Sequence, residues 1–243
     1  MTRPEYWIAT AAQGGFSSLS LPAAGYCGRG IVIYSDGNTV RCDDAGITVS
    51  VGATAPSYTP TLLSSGGPFG EPYAGWQTSV TAVGDALRIG SGDFTLEGWF
   101  RHKTEYPVSL FAILDTSNDT TVAGTAFTVY NSGMSGDPPS PYPGQAIFYE
   151  HPEFSARRII NQSSGEEEGW IHLAVARQGS SMGQWFNGRL IETIGFGTPA
   201  TQPVAYDSAQ IYSAGNDIGQ IRYTPNLARY SGSTITVPAA PFR

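Results

Sequence analysis

Three histidines, two cysteines and one dense acidic run are the residues of this chain whose types could do chemistry. Glycan hydrolysis would need two carboxylates about 5–9 Å apart in one cleft, most economically alternating along a strand as E-x-D-x-x-E. No such run occurs. The densest acidic stretch, Glu166-Glu167-Glu168, lies between Ser163-Ser164-Gly165 and Gly169, which places it in a solvated turn where three adjacent like charges diverge. The chain has no G-x-S-x-G elbow to expose a nucleophilic serine, no H-E-x-x-H pair and no glycine-rich phosphate loop. Cys27 and Cys42 have no companion histidines at ligand spacing, so they make no zinc site. His172 is set in an apolar strand beside Trp170 and reads as a packed or hydrogen-bonded structural residue. The sequence therefore predicts a protein without catalytic residues.

Binding chemistry has better material. Stacking of aromatic rings on sugar faces, with nearby carboxylate, amide or backbone groups to fix the hydroxyls, needs exposed aromatics in loops or at strand ends. Tyr142 in a proline-rich loop, Tyr149 and His151 on the strand after it, and Tyr206 and Tyr212 around Asp207 form the candidate set for a glycan or protein contact. Against this, most tyrosines of a two-sheet protein pack at edges with a wet hydroxyl. Calcium would need clustered oxygen ligands. Asp115-Thr116-Ser117-Asn118-Asp119 is the first candidate loop and Asn216-Asp217 the second, although such clusters are ordinarily turn residues bonded to their own backbone. No cofactor or metal is predicted. Arg157-Arg158 reads as a solvated strand end.

Charge narrows the partners further. Thirteen basic residues against twenty acidic give a net charge of −7, and Lys103 is the one lysine. Nucleic-acid binding relies on clustered Lys and Arg that displace counterions from phosphate, so no nucleic-acid partner is expected. No apolar run is long enough to span a membrane. The opening MTRPEYWIATAAQGG lacks the apolar stretch of a secretory signal, which predicts that any extracellular role is reached by another route, such as release of an assembled particle. Cys27 and Cys42 could approach across a hairpin folded at Asp36-Gly37-Asn38, but a chain made in a reducing compartment favours two thiols.

The elements that must position these residues are strands. Thirty glycines and seventeen prolines with 12% aromatics describe short strands joined by tight turns, and no long window keeps a helical apolar period. Gly169 to Gly188 is the clearest segment. Trp170, His172, Ala174 and Ala176 alternate with Ile171, Leu173 and Val175, so both faces of the strand are apolar, and Asn187-Gly188 is a strong type I′ hairpin signal. Arg189 to Ile194 is then the returning strand. Residues 1–55 read as a small β unit of their own, with four strand candidates, at Leu19 and Leu21, Ile31–Tyr34, Thr39–Cys42 and Ile47–Val51. Residues 56–68 read as a Pro/Gly-rich linker and residues 69–243 as the main domain. Within that domain, Ser132–Gly144 is a long Pro/Gly loop, a length that is usually functional or disordered.

Several motifs in the main domain, taken in order, carry a family resemblance. Gly92-Asp93-Phe94-Thr95-Leu96-Glu97-Gly98-Trp99-Phe100, after Leu87-Arg88-Ile89, is followed by Trp170-Ile171-His172-Leu173-Ala174-Val175-Ala176-Arg177 and the Trp185-Phe186-Asn187-Gly188 hairpin. Ile218-Gly219-Gln220-Ile221-Arg222-Tyr223, Leu227-Ala228-Arg229-Tyr230 and the closing Pro238-Ala239-Ala240-Pro241-Phe242 complete the set. Together they resemble the concanavalin A-like lectin and laminin G-like family, in the form found among bacteriophage virion proteins. The resemblance implies an all-β fold, a two-sheet antiparallel jelly-roll sandwich. It departs from the family pattern at Gly219-Gln220, where members often carry two carboxylates. Because this sandwich hosts binders, hydrolases and inert modules alike, the resemblance says less about function. What it implies is a non-catalytic virion structural protein, head decoration or tail-associated. The N-terminal unit would hold to other virion proteins, the protein would be present in several copies, and the sandwich would touch host-surface or environmental glycans. A dedicated glycan-binding receptor-recognition protein is the alternative, and a glycan hydrolase the third class.

Overall fold

The computed structural model describes residues 30–87, 92–101, 108–114, 125–132, 146–151, 154–161, 169–179, 181–195 and 210–242. The strands run β1 (Ile31–Ser35), β2 (Val40–Cys42), β3 (Thr48–Ala53), β4 (Leu62–Leu63), β5 (Tyr73–Ala74), β6 (Thr78–Val83), β7 (Phe94–Arg101) and β8 (Val108–Leu114). They continue with β9 (Thr125–Ser132), β10 (Ala146–His151), β11 (Phe154–Asn161), β12 (Ile171–Gln178), β13 (Ser181–Phe186), β14 (Arg189–Gly195), β15 (Gln210–Ser213) and β16 (Asp217–Pro225). One sheet of nine strands runs β14-β13-β12-β7-β16-β1-β2, with β5 on β16 and β4 on β5, and the other runs β11-β10-β9-β8-β15-β6-β3. The fold is the two-sheet antiparallel sandwich expected from the sequence. Among the described residues no helix is long and apolar enough to cross a membrane.

The interior between the sheets follows from strand alternation. Ile31 and Ile33 of β1, Phe94, Leu96 and Phe100 of β7, Leu173 and Val175 of β12 and Ile221 and Tyr223 of β16 meet Val80 and Ala82 of β6 and Ile211 of β15 in one buried cluster. The residues between them, Val32, Glu97, Trp99, His172 and Ala174, are nevertheless buried as well. They lie under the C-terminal segment 226–242, which crosses the outer face of the nine-stranded sheet and packs Phe242, Val237, Ala228, Tyr230 and Ile235 on it. The two-sided apolar pattern of β12 thus records a third layer, the tail, as well as the sandwich core.

The small N-terminal unit expected over residues 1–55 takes a different form where it is described. β1 pairs with β16 (Ile31 opposite Tyr223), and β3 pairs with β6 (Thr48 opposite Val83), so these strands are built into the two sheets. The apolar side chains of β1 find their burial there, as a short strand unit without a core of its own must. Residues 56–68, expected as a linker, contain β4, which pairs with β5. Residues 1–29, including Cys27, lie outside the described residues. The Asp36-Gly37-Asn38 turn forms as expected. Asp36 accepts from the backbone of Asn38 and Thr39 and from Arg41, and the Arg41 bond leads in holding its carboxyl down at about 2. Cys42 packs against the core, and burial pushes its thiol up to about 11.

The Asn187-Gly188 turn also forms as the sequence predicts, with both residues in the left-handed region (φ 43° and 83°). The turn serves the tail too. Ile235 N donates to Gly188 O (2.7 Å), and Leu190 N donates to Ser233 O (2.9 Å). A Cβ at Gly188 would lie 2.8 Å from Ile235 O. Gly188→Ala is therefore expected to cost about 1–2 kcal/mol from the left-handed backbone alone, with more from the displaced tail. Urea unfolding would read this as a lower midpoint, and an unchanged midpoint would show that the tail is not seated on the turn.

Candidate functional site

Two places concentrate polar and aromatic chemistry, and burial separates them. The first is Glu97 in the middle of β7, with no solvent exposure. Cross-strand register puts His172 beside it, opposite Trp99, and Arg222 directly opposite Glu97. His172 Nε2–H donates to Glu97 Oε2 (3.0 Å) and the Tyr230 hydroxyl donates to the same oxygen (2.7 Å). Arg222 donates to Oε1 through Nε (2.9 Å) and Nη2 (2.8 Å). Burial alone would push Glu97 up. The His172 bond, the Arg222 charge and the Tyr230 hydroxyl outweigh it, and the carboxyl sits below its usual 4.5. Burial, reinforced by the Glu97 charge, pushes the Tyr230 phenol up.

Glu97 and His172 have the residue types of an acid–base pair but not its access. Neither is exposed to solvent, both carboxylate oxygens are engaged, and the tail is fixed above them. Arg229 N donates to Thr95 Oγ1 (2.8 Å), Trp185 Nε1 donates to Gly232 O (3.0 Å), and Phe242 N donates to Gln220 Oε1 (2.8 Å). The Arg222 guanidinium lies 4.3 Å from the centroid of the Phe242 ring. His172 is thus the packed, hydrogen-bonded residue its strand context predicts, and the arrangement is a clamp on the tail.

The second place lies where β5, the end of β7 and the start of β16 meet. Arg101 lies over the Tyr73 ring (5.2 Å) and the Trp170 ring (4.9 Å), and it pairs with Asp217 Oδ2 (2.8 Å). The other oxygen of Asp217 accepts from Trp76 N (3.0 Å), fixing the backbone that presents the Trp76 ring. Tyr58 meets that ring edge to face, with centroids 5.1 Å apart and planes at 73°. Tyr58 is one of two large hydrophobic side chains that remain exposed among the described residues, at 39%. Beside the pair, the Thr61 hydroxyl donates to Gln77 Oε1 (3.2 Å) at the surface. Two aromatic rings, a hydroxyl and a carboxamide are thereby held on a framework anchored by a buried ion pair.

The residues singled out from sequence fall elsewhere. Tyr142, Tyr206 and Asp207 lie outside the described residues. Tyr149 and His151 are on β10, with Tyr149 opposite Val129 and Arg158 and His151 opposite Phe154. Tyr212 is on β15, half-buried, its phenol pushed up by burial. Strands β9 and β8 stand between β10 and β15, which puts Tyr212 about 14 Å from Tyr149 across the sheet. Of the calcium candidates, 115–119 lie outside the described residues. Asn216-Asp217 does not fit a cation, because both Asp217 oxygens already serve Arg101 and the Trp76 backbone. Among the described residues no group of three or more His, Cys, Asp and Glu could hold a metal. Tyr58 and Trp76 were missed because the Pro/Gly-rich composition around Tyr58 reads as linker. The one available signal was an aromatic inside that stretch, Tyr58, and a second shortly after it, Trp76.

No protein-family model matches the chain, and no curated protein matches it in sequence. Solved structures do resemble it. Domain 4 of AbnA, an extracellular arabinanase from Geobacillus stearothermophilus solved with arabinotriose, matches with TM-score 0.50 at 13% identity, over 84% of this chain and 93% of that one. The exoplasmic/lumenal domain of VIP36, in its metal-free form, matches with TM-score 0.50 at 11% identity, over 74% of this chain and 86% of that one. The botulinum neurotoxin serotype D binding domain matches with TM-score 0.50 at 11% identity over 82% of this chain, which spans 48% of that domain. At these identities the likeness shows the fold, a lectin-like jelly-roll sandwich.

Acid sensitivity follows from the clamp. A carboxyl whose folded pKa is depressed gives its full stabilisation above its unfolded value, and the stabilisation drains away as pH falls through the folded value. For Glu97 this loss lies below about pH 4.5. Tyr230→Phe removes one hydrogen bond to the charged carboxylate and should cost about 1.5–3 kcal/mol at pH 7. The difference between wild type and variant should shrink as Glu97 protonates. Urea melts of both from pH 7 to pH 3 measure this, and a gap that stays constant down to pH 3 would rule out the charge-assisted bond.

Proposed function

We propose that this protein is a non-catalytic, glycan-binding sandwich whose sugar rests on Tyr58 and Trp76. The observation that carries the reading is the aromatic pair itself, exposed Tyr58 set edge to face on half-buried Trp76 at 5.1 Å, next to the surface bond from Thr61 to Gln77. Aromatic rings take the C–H face of a sugar while neighbouring polar groups bond its hydroxyls, and a rigid mount lowers the ordering cost of binding. Two neighbours in fold, the AbnA domain solved with arabinotriose and VIP36 solved in a Ca2+/Man2-bound form, give this reading its context. The absence of catalysis belongs to the proposal. It is supported by a buried Glu97–His172 pair with no room left for substrate.

The particle-borne role rests on the sequence resemblance alone and is part of the same proposal. In many copies on a virion, a shallow site of weak intrinsic affinity would gain by avidity, since each further contact becomes intramolecular. Virion proteins would then be its partners and the particle surface its location.

The test is an oligosaccharide array that includes arabinan and mannan fragments, probed with wild type, Tyr58→Ala and Trp76→Ala. Each variant is expected to lose about tenfold in affinity, or 1.4 kcal/mol. Exposed Tyr58 should leave the melting temperature within a few degrees of wild type. A wild type silent across the array, or Tyr58→Ala binding as well as wild type, would sink the reading.

A further inference from the structure

We infer that the glycan carries carboxylates, and that Arg189 receives one of them in a groove between the Asn187-Gly188 turn and the tail. This deepens the glycan reading above and rests on it. An open groove of about 600 Å³, within the size range of small-molecule sites, is lined by Asn187, Arg189, Ser233 and Thr234 together with apolar groups. Its floor is rigid, because the backbone bonds from Leu190 to Ser233 and from Ile235 to Gly188 tie the tail to the hairpin. Arg189 and Thr234 form an antiparallel bridge. Directly opposed residues of such a pair hold their Cβ atoms about 5 Å apart on one face, so a guanidinium and a hydroxyl stand side by side.

The charge of Arg189 sets it apart from its fellows. Arg41, Arg101 and Arg222 are paired with Asp36, Asp217 and Glu97. Arg177 donates to Gly179 O and Arg229 to Thr224 Oγ1. Among the arginines whose side chains are described, Arg189 is exposed without such a bond. A guanidinium fork matches a carboxylate in two parallel hydrogen bonds, with the neighbouring hydroxyl and the side-chain NH2 of Asn187, whose oxygen already serves His172 N, beside it for a sugar ring. On a chain of net charge −7, acidic polymers are repelled in general, so a local cation acts as a selector for where and how such a ligand docks.

The groove and the aromatic pair occupy the same end of the nine-stranded sheet. β12 begins at Ile171 opposite Phe100, β13 ends and β14 begins at the Asn187 turn, and β16 begins at Asp217, which holds Trp76. Arg189 and Asp217 are four strand steps apart, about 19 Å across the sheet, and three residues, roughly 10 Å, apart along it, a separation that an oligosaccharide of several residues spans. One chain can therefore rest on Trp76 and place an acidic residue at Arg189.

The experiment titrates wild type, Arg189→Gln and Tyr58→Ala with oligogalacturonides, sialylated oligosaccharides and neutral galacto-oligosaccharides, at low and high salt. Wild type should prefer one carboxylated class by about tenfold, and salt should erode that preference. Arg189→Gln should remove it while leaving neutral binding and the near-UV circular dichroism unchanged, and Tyr58→Ala should weaken both kinds of ligand. Whichever acid class is preferred identifies the sugar. Equal affinity of wild type for acidic and neutral oligosaccharides, unaffected by Arg189→Gln, would overturn this inference and leave the glycan reading standing. No binding to any of the three would overturn this inference, and silence on the arabinan and mannan fragments as well would overturn the glycan reading with it.

Discussion

A carboxylate with no solvent exposure in the middle of a sheet is the constraint from which most of this molecule's outer layer follows. Moving such a charge out of water is tolerable only when its lone pairs are filled and its charge is matched. Glu97 meets that condition with Arg222 from the neighbouring strand β16, His172 from β12, and Tyr230 from a segment 133 residues away in sequence. The first two are supplied by the sheet's own register. The third requires the tail to cross the sheet, and the tail in turn covers Trp99, Val32 and Ala174, apolar groups that an uncovered face would leave in water. The buried charge thus acts as a locator: a displaced tail would strand Glu97 with an unfilled site, so a single path for residues 226–242 is strongly preferred.

The same logic explains several residue choices that look incidental. Gly219 lets Pro68 and Trp99 close over β16, since a Cβ there would lie 2.9 Å from the proline ring. Gln220, buried on β16, accepts from the amide of Phe242 and so holds the end of the tail with an uncharged side chain. Asn187 does double service. Its side-chain oxygen accepts from His172 N (2.8 Å) while its own amide donates to His172 O (2.8 Å), so the hairpin turn also holds the strand that carries the histidine.

Local features were legible in the sequence because they are local. The Asn-Gly turn, the alternation of β12 and the Asp36 turn each depend on a few adjacent residues and their backbone preferences. The sandwich itself was legible through an ordered set of strand motifs. What the sequence hid was pairing over long separations. Nothing in Ile31–Ser35 announces that its partner is β16, some 190 residues on, so a run of short strands ending in a Pro/Gly stretch reads as a separate unit followed by a linker. The aromatic pair was hidden for the same reason. Tyr58 becomes a neighbour of Trp76 only after Thr78 has bonded the backbone of Thr61 from both directions (2.8 and 2.9 Å) and folded the loop back.

A division of labour within one sheet emerges. Its inner face makes the sandwich core and its outer face is covered by the tail, which among the described residues leaves the end where strands start and stop as its open part. Conserving the fold at 10–13% identity to its structural neighbours asks for alternation and turns, not for particular side chains. The loops at the sheet's end are under no such demand, so they are free to carry whatever chemistry the ligand requires. In this chain those loops hold exposed Tyr58 and half-buried Trp76 at one side and the exposed guanidinium of Arg189 at the other, while the buried carboxylates Glu97 and Asp217 are matched by Arg222 and Arg101. Among the described residues, the two groups with the types of an acid–base pair, Glu97 and His172, lie buried under the tail.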